Sequence, residues 1–501
     1  MVHALRTDRT YRQQFTDVWR WMDWPGRSGA DIGVDLVARD AGGQLTAIQC
    51  KCYAPTTTLT KEEIDSFVAL SGQKQWSRRI VVATTDLWST NAEKSLEGHA
   101  VPVERMGVDD LDAMTVDWSS YNVANPSGLL ATDRHVLRDH QRIAVDKVRA
   151  GFETADRGKL IMACGTGKTF TALRIAEEHA GTGKSVLFLA PSIALVAQSL
   201  KEWTGECEVP IRPFSVCSDV TAGKPIEGEI ASPHDLVVPP TTDVKELVAA
   251  GVHQLPSDQM TVVFSTYQSI QVVADMQAAT GHQFDLVVCD EAHRTAGVSS
   301  LAGEDKVFGL VHDNAIVPAA KRLYMTATPR IFKPVAAEAA KEADAEVASM
   351  DDPEYCGEEF HRLGFGEAVE RGLLADYRVL ILTVDEAAVN ESFQDLLSTN
   401  GELSLPDVAR FVGCLSGLAK LPGQNDVGFD GNEPAMKRAV AFWSKISESQ
   451  RFAEQFDQVA EAYFDQLEAG PDGDRITACR CPPAMSTVPP RSAAAAPTSG
   501  G

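Results

Sequence analysis

KLIMACGTGKT, residues 159–169, is an apolar run that breaks at Gly165 and Gly167 and gives way to FTALRIAEEHA, residues 170–180. Apolar strand, tight loop and amphipathic helix, in that order, form the arrangement a phosphate-binding loop needs. Backbone N–H groups and a helix N-terminus then face an anion. The two glycines free the backbone where it must approach the phosphates, with Thr166 between them; Lys168 can reach the β- and γ-phosphates and Thr169 can ligate a cation. The strict pattern asks for glycine where Met162 stands, so the match is partial.

An acidic complement lies downstream. FDLVVCDEAH, residues 284–293, ends an apolar strand in Asp290-Glu291. Asp290 would hold Mg²⁺ and Glu291 would polarise the attacking water of ATP hydrolysis. SVLFLAPS, MTVVFSTYQSI and RLYMTATP are further continuously apolar strands, which predicts a parallel sheet covered by helices on both faces.

These segments resemble the first RecA-like lobe of superfamily 2 helicases and translocases: RDHQRIAV (138–145), MACGTGKT (162–169), LAPSIALVAQ (189–198), STYQSI (265–270), DEAH (290–293) and TATP (326–329). The resemblance implies ATP, Mg²⁺ and a nucleic-acid track. It also implies that Gln141 reads the adenine edge, that His293 links the nucleotide to the TATP segment, and that Thr326 and Thr328 couple nucleotide state to DNA.

Nearer the start, DIGVDLVAR (31–39) and LTAIQCKCY (45–53) flank Gly42-Gly43 and read as a hairpin. Gln49 and Lys51 share one face by strand alternation. A two-residue turn at the glycines would point Asp35 the wrong way, so an odd-length loop over 40–44 is expected, pairing Asp35 with Gln49. Phosphodiester hydrolysis needs a cation and a nearby ammonium, and Asp35, Gln49 and Lys51 supply those types. The stretch resembles the Mrr-type branch of the PD-(D/E)xK nucleases, with Gln in place of Glu. That resemblance adds the Cys50 backbone carbonyl as a metal ligand beside Asp35. Asp31 is the alternative ligand, and Asp17, on a helix read over 11–24 from Phe15, Val18, Trp19 and Met22, is a further acid.

The predicted fold class is α/β: a restriction-endonuclease-like domain (1–118), a linker (119–136), a RecA-like lobe (137–335), an inter-lobe connection (336–376), an incomplete second RecA-like lobe (377–470) and a low-complexity tail (471–501). FGEAVERGLLADYRVLIL (365–382) completes a resemblance, over roughly 10–460, to type ISP and type I restriction enzymes. Residues 460–501 contain no match to QxxGRxxR, the arginine-finger motif, and methyltransferase and target-recognition modules are absent, so missing C-terminal modules or a partner subunit would complete the machine.

Net charge of −24 with 44% hydrophobic residues argues against non-specific coating of DNA and is most simply read as keeping the chain soluble, while a narrow basic channel inside an acidic protein stays compatible with it. No apolar run spans a bilayer, no secretory leader is read, and ten scattered cysteines fit reduced thiols. These features imply a cytoplasmic protein with no membrane partner. The expected function is an ATP-dependent DNA restriction endonuclease and translocase acting on double-stranded DNA. The alternatives are a non-catalytic DNA- and ATP-binding remnant or subunit, or a repair helicase.

Overall fold

The hairpin read from Asp31 to Tyr53 is the centre of the first sheet. In the computed structural model, β2 (Leu36–Arg39) pairs antiparallel with β3 (Leu45–Lys51), Leu36 facing Ile48 and Arg39 facing Leu45. The loop between them is 40–44, closed by the Asp40 N–H donating to the Gln44 carbonyl at 3.0 Å. An odd loop is therefore what the chain uses. The structure describes residues 1–377 apart from 28–32, 73–74, 97–98, 100, 102, 218–233, 235, 300–303 and 331–345, and then 405–420, 436, 452, 455, 456, 459 and 460.

The N-terminal segment departs from the expected helix over 11–24. Two short helices, α1 (Val2–Thr7) and α2 (Arg9–Gln14), precede a strand, β1 (Asp17–Arg20), which adds antiparallel to β2. The backbone turns extended at Phe15, φ −112° and ψ 125°. Val18 and Trp19 have the branched and aromatic side chains that a pleated edge accommodates. Asp17 thus lies on a strand, ion-paired with Arg39 at 2.6 Å. The helix α3 (Lys61–Leu70) begins on a Thr60/Glu63 capping box. It leads to β4 (Trp76–Ala83), parallel to β3, and α4 (Thr90–Lys94) leads to β5 (Val103–Met106), parallel to β4. The sheet runs β1-β2-β3-β4-β5, and α5 (Val108–Asp112) follows it. The stretch read as a linker is clasped at its ends by β6 (Val116–Asp117) and β7 (Leu130–Ala131), which pair antiparallel.

From α6 (Asp139–Thr154) onward the chain alternates strand and helix. The strands are β8 (Arg157–Met162), β9 (Ser185–Ala190), β10 (Ile211–Val216), β11 (Met260–Thr266), β12 (Phe284–Cys289), β14 (Ala319–Thr326) and β16 (Glu358–Leu363); β13 (Gly297–Ser299) and β15 (Glu346–Ala348) form a separate ribbon. All seven sheet strands are parallel, in the order β10-β11-β9-β12-β14-β8-β16. The helices α7 (Lys168–His179) and α8 (Ile193–Glu206) connect β8 to β9 and β9 to β10. The sheet's last strand comes from the stretch expected to be inter-lobe connection.

β16 is held by Phe360. A Cβ on Gly151 would lie 2.3 Å from its ring and one on Gly158 only 2.2 Å away, so the two glycines form the slot that the ring fills. Phe360 also meets Phe152 edge-on at 5.1 Å.

Two compact units divide the chain. The first, through Ala375, contains both sheets, and its largest apolar cluster runs without a break from Leu5, Tyr11, Phe15, Ile48 and Ile80 to Leu200, Trp203 and Phe264. The second begins at Asp376; in it Leu405–Ala419 is a helix, and Phe411 stacks on Phe452 at 4.4 Å. The RecA-like reading of 377–470 falls largely outside the described residues, as does the tail 471–501. Among the described residues, no helix is long and apolar enough to cross a membrane.

Gly158→Ala places a methyl group inside the Phe360 ring position. Overpacking of this kind costs about 1–3 kcal/mol, so urea unfolding should show a lower midpoint, and pairing with Phe360→Leu should restore part of it.

Candidate nuclease edge and nucleotide site

At the end of the first hairpin the ladder changes partners. The register of β2 and β3 projects Asp35 onto Gln49, but the Asp35 N–H donates to the Ile48 carbonyl at 2.9 Å. Its carboxylate takes the N–H of Cys50 at 2.7 Å. A side-chain oxygen here does the work of a ladder carbonyl, which holds the carboxylate beside Gln49, Cys50 and Lys51. Gln49 is buried; its Nε2 donates to the Gly33 carbonyl at 3.1 Å, and its Oε1 has no hydrogen-bond partner. An orphaned buried amide oxygen leaves a desolvation penalty of about 1–3 kcal/mol that a cation would relieve. Lys51 is half-buried on the same side of β3 as Gln49. Burial, then the nearby Asp35 carboxylate, push the Cys50 thiol up to about 12, so it is an inert side chain. Asp31 lies outside the described residues.

The second site forms where β8 ends. Gly165 and Gly167 adopt left-handed φ of 80° and 82°, and α7 begins at Lys168. Thr166 is buried, its hydroxyl donating to the Ala163 carbonyl at 2.7 Å. His140 Nε2 lies 2.9 Å from the Thr166 carbonyl. Gln141 is also buried under the loop: Nε2 donates to the Thr166 and Gly167 carbonyls, each at 3.4 Å, while Oε1 accepts the Arg138 N–H at 2.9 Å. Its amide braces the loop through Nε2, while Oε1 keeps a second lone pair beyond the Arg138 N–H. The Thr169 carbonyl accepts from Trp203 Nε1 at 3.0 Å.

β12 delivers the acids. Asp290 is buried with Oδ1 unpartnered, and its carboxyl is raised to about 6 by burial and then by Glu291. The Glu291 N–H lowers the carboxyl in part, and the unpartnered Oδ1 of a desolvated carboxylate is the kind of oxygen a cation would satisfy. Glu291 sits at φ 46°, a left-handed backbone uncommon for a residue with a Cβ, and lies 3.9 Å from the Lys168 ammonium. His293 Nδ1 is 3.3 Å from Glu291 and 3.0 Å from the Thr326 hydroxyl, which in turn accepts the Thr328 N–H at 3.1 Å. Burial lowers the His293 pKa, favouring a neutral imidazole. Tyr267, from STYQSI, donates to the Asp290 carbonyl at 2.8 Å. Lys168, Asp290, Glu291, His293, Thr326 and Thr328 are thus brought together as a chain of contacts.

Among the described residues, no group of three or more His, Cys, Asp or Glu side chains converges as a metal cluster. A cation at either place would draw on amide, hydroxyl and carbonyl oxygens as well as carboxylates, a donor set that suits a hard divalent ion.

Sequence reasoning missed two features near this site, the first being the chain around and after β16. The Ala163 N–H donates to the Leu363 carbonyl at 3.0 Å, and Leu374 Cδ2 lies 3.2 Å from where a Gly165 Cβ would be. The other is an acidic pair on α8, Glu202 and Glu206; Glu206 lies 3.0 Å from His135 Nδ1. Only the i, i+4 spacing of the two glutamates hinted at this.

Burial, then Glu206, raise the Glu202 carboxyl to about 7. The folded chain then holds a proton that the unfolded chain releases near pH 4.5, so stability falls as pH rises through about 4.5 to 7. Glu202→Gln should melt above the native chain at pH 8, with the difference shrinking as pH falls and vanishing below about 4.5 in a calorimetric series.

Comparisons with known proteins meet at these two places. Residues 6–127 match the restriction endonuclease family, and residues 134–331 match the type III restriction enzyme res subunit family. The type I restriction enzyme EcoAI endonuclease subunit of Escherichia coli is 26% identical over 251 residues, 50% of this chain and 24% of that protein. The replication restart protein PriA of Treponema pallidum (strain Nichols) is 40% identical over 80 residues, 16% of this chain and 12% of that one. The solved structure of the ATP-dependent Type ISP restriction-modification enzyme LlaBIII bound to DNA is 36% identical, with a TM-score of 0.78 over 92% of this chain and 30% of that one. The chain spans less than a third of the length of each of these relatives. Families of the two kinds matched generally use ATP and a divalent metal ion. The chain therefore joins a domain of the restriction endonuclease family to a helicase domain of the res-subunit family, and along most of its length it is similar to a type ISP restriction-modification enzyme.

Proposed function

We propose that this chain is the nuclease and first motor lobe of an ATP-dependent restriction endonuclease and translocase that acts on double-stranded DNA in the cytoplasm. Residues 1–118 cut, 137–335 bind and hydrolyse ATP, 377–470 contribute part of a second lobe, and further modules or a partner subunit complete the enzyme. The observation that carries this reading is that one compact unit contains both motif clusters, each with a buried oxygen without a partner: Gln49 Oε1 and Asp290 Oδ1.

At the first site the residues fit a divalent cation. Asp35, Gln49 Oε1 and the Cys50 carbonyl would hold Mg²⁺, which supplies Lewis-acid polarisation of the phosphate and its attacking water. Lys51 positions that water and balances charge at the phosphate. Glutamine in place of glutamate removes one negative charge, so the cation is held more weakly than by two carboxylates.

At the second site, Gly165, Thr166 and Gly167 present the loop's backbone to the phosphates, and Lys168 takes the β- and γ-oxygens. Thr169 and Asp290 would hold the Mg²⁺ of the nucleotide. The left-handed backbone at Glu291 aims its carboxylate at Lys168, where a γ-phosphate would be attacked, and Glu291 orients the water. Gln141 acts through the loop it braces. His293, Thr326 and Thr328 carry the change at the γ-phosphate towards the DNA side.

Cleavage of a long plasmid with Mg²⁺, with and without ATP, tests this reading. Cutting should require ATP and fall at least about 100-fold, the scale on which loss of one preorganised charged group slows catalysis, in both Asp35→Ala and Lys168→Ala. Cutting that survives Asp35→Ala would remove the N-terminal edge from the chemistry. Cutting lost only in Asp35→Ala, and equal with and without ATP, would leave a nuclease independent of the motor.

A further inference from the structure

The N-terminal domain is not suspended from the motor lobe by residues 119–136 alone. Lys201 of α8 pairs with Asp110, Arg78 donates to the Val237 carbonyl, and one short helix, α2, is bonded to the last turn of α8. The Thr10 and Thr204 hydroxyls meet at 2.9 Å and both residues are buried. Thr204 donates to the Leu200 carbonyl at 2.8 Å, so its oxygen is left to accept from Thr10. Gln13 uses both ends of its amide: Nε2 donates to the Thr204 carbonyl at 2.7 Å, and Oε1 accepts the Ile211 N–H, at the start of β10, at 3.1 Å. Arg9 donates to the Gly205 carbonyl at 2.9 Å and to the Thr132 carbonyl, with Glu206 at 3.8 Å.

Gly205 is itself informative. Glycine weakens a helix interior relative to alanine, yet here a Cβ would lie 3.0 Å from the Thr115 methyl of the N-terminal domain. The missing side chain lets α8 and that domain approach. The other end of the same turn reaches the nucleotide site, because Trp203, neighbouring Thr204, donates its indole N–H to the Thr169 carbonyl in the phosphate loop's helix. The apolar cluster is continuous through the same place, with Tyr11 and Phe15 in one cluster with Leu200, Trp203 and Cys207.

We propose that residues 203–207 of α8 and its C-cap are a coupling strut that makes the N-terminal domain and the phosphate loop one cooperative unit, with Gln13 as its positioning residue, so that nucleotide bound at the loop stabilises the N-terminal domain. A ligand that binds only the folded unit suppresses every opening that passes through unfolding of that unit, wherever the amides lie. The inference rests on the phosphate loop binding a nucleotide, as proposed above.

Hydrogen exchange of the whole chain, with and without ADP and Mg²⁺, tests it. Peptides of α7 report nucleotide binding, and peptides of β3 and β4 report the N-terminal domain. In the native chain both sets should slow on adding ADP, by up to about 100-fold at one hundred times the dissociation constant. In Gln13→Ala, and independently in Gly205→Leu, which wedges the joint apart, α7 should still slow while β3 and β4 lose the effect. Slowing of α7 alone in the native chain overturns the strut, as does slowing of β3 and β4 that survives both variants. If α7 does not slow at all, the nucleotide reading fails and the inference falls with it.

Discussion

The parallel register of β8, β14, β12 and β9 is the constraint on which the nucleotide site depends. Ile161 lies beside Thr326, Tyr324 beside Cys289, and Cys289 beside Leu189. The loop after β8, the acids after β12 and the threonine ending β14 therefore leave the sheet at one edge, where open α/β sheets bind their ligands. Slipping β12 by one residue would move Asp290 by about 3.3 Å and turn it to the other face. Burial then sharpens the chemistry, since the same closed edge that strips water from Asp290 raises its carboxyl and leaves Oδ1 without a partner. β16 supports this edge from the far side, and its place is set by an aromatic ring filling a gap that two glycines leave.

A different irregularity builds the first site. Four regular pairs between β2 and β3 give way at Asp35, whose carboxylate replaces a carbonyl as acceptor for Cys50. The residue is useful because the ladder fails there. Acidic net charge is compatible with both sites, because each is a local arrangement of backbone N–H groups, lysine and orphaned oxygens. It is the contact surface, not the chain average, that an approaching phosphate meets.

Much of this was legible in the residues. The motor lobe's strand–loop–helix order, the pairing of Lys168 with Asp290 and Glu291, and the contact of His293 with Thr326 all followed from motifs whose residue types are fixed by chemistry. The odd hairpin loop followed from strand alternation. The helix read over 11–24 did not form beyond Gln14, because Phe15, Val18, Trp19 and Met22 fit a helical period only by spacing. An open edge beside β2 gave Val18 and Trp19 a better place, and Arg39 packs over the Trp19 ring at 5.2 Å. β16 was missed because a strand such as EEFHRL has alternation too weak to see, and its partner β8 is two hundred residues earlier in the chain. The α2–α8 joint was equally hidden. Thr10, Gln13 and Gly205 carry no motif, and only their meeting in space gives them a role. Gln141 shows a subtler limit, since residue type and position marked it for the nucleotide while its contacts to the Thr166 and Gly167 carbonyls carried no signal in the sequence.

The central claim is that one body holds two separate cation sites for phosphate chemistry. Binding of Mn²⁺ to the whole chain, followed by paramagnetic resonance with and without ADP, measures this most directly. Two sites are expected: one present without nucleotide and abolished by Asp35→Asn, the other appearing with ADP and abolished by Asp290→Asn. A single nucleotide-dependent site that Asp35→Asn leaves untouched would contradict the account, because the N-terminal edge would then hold no metal.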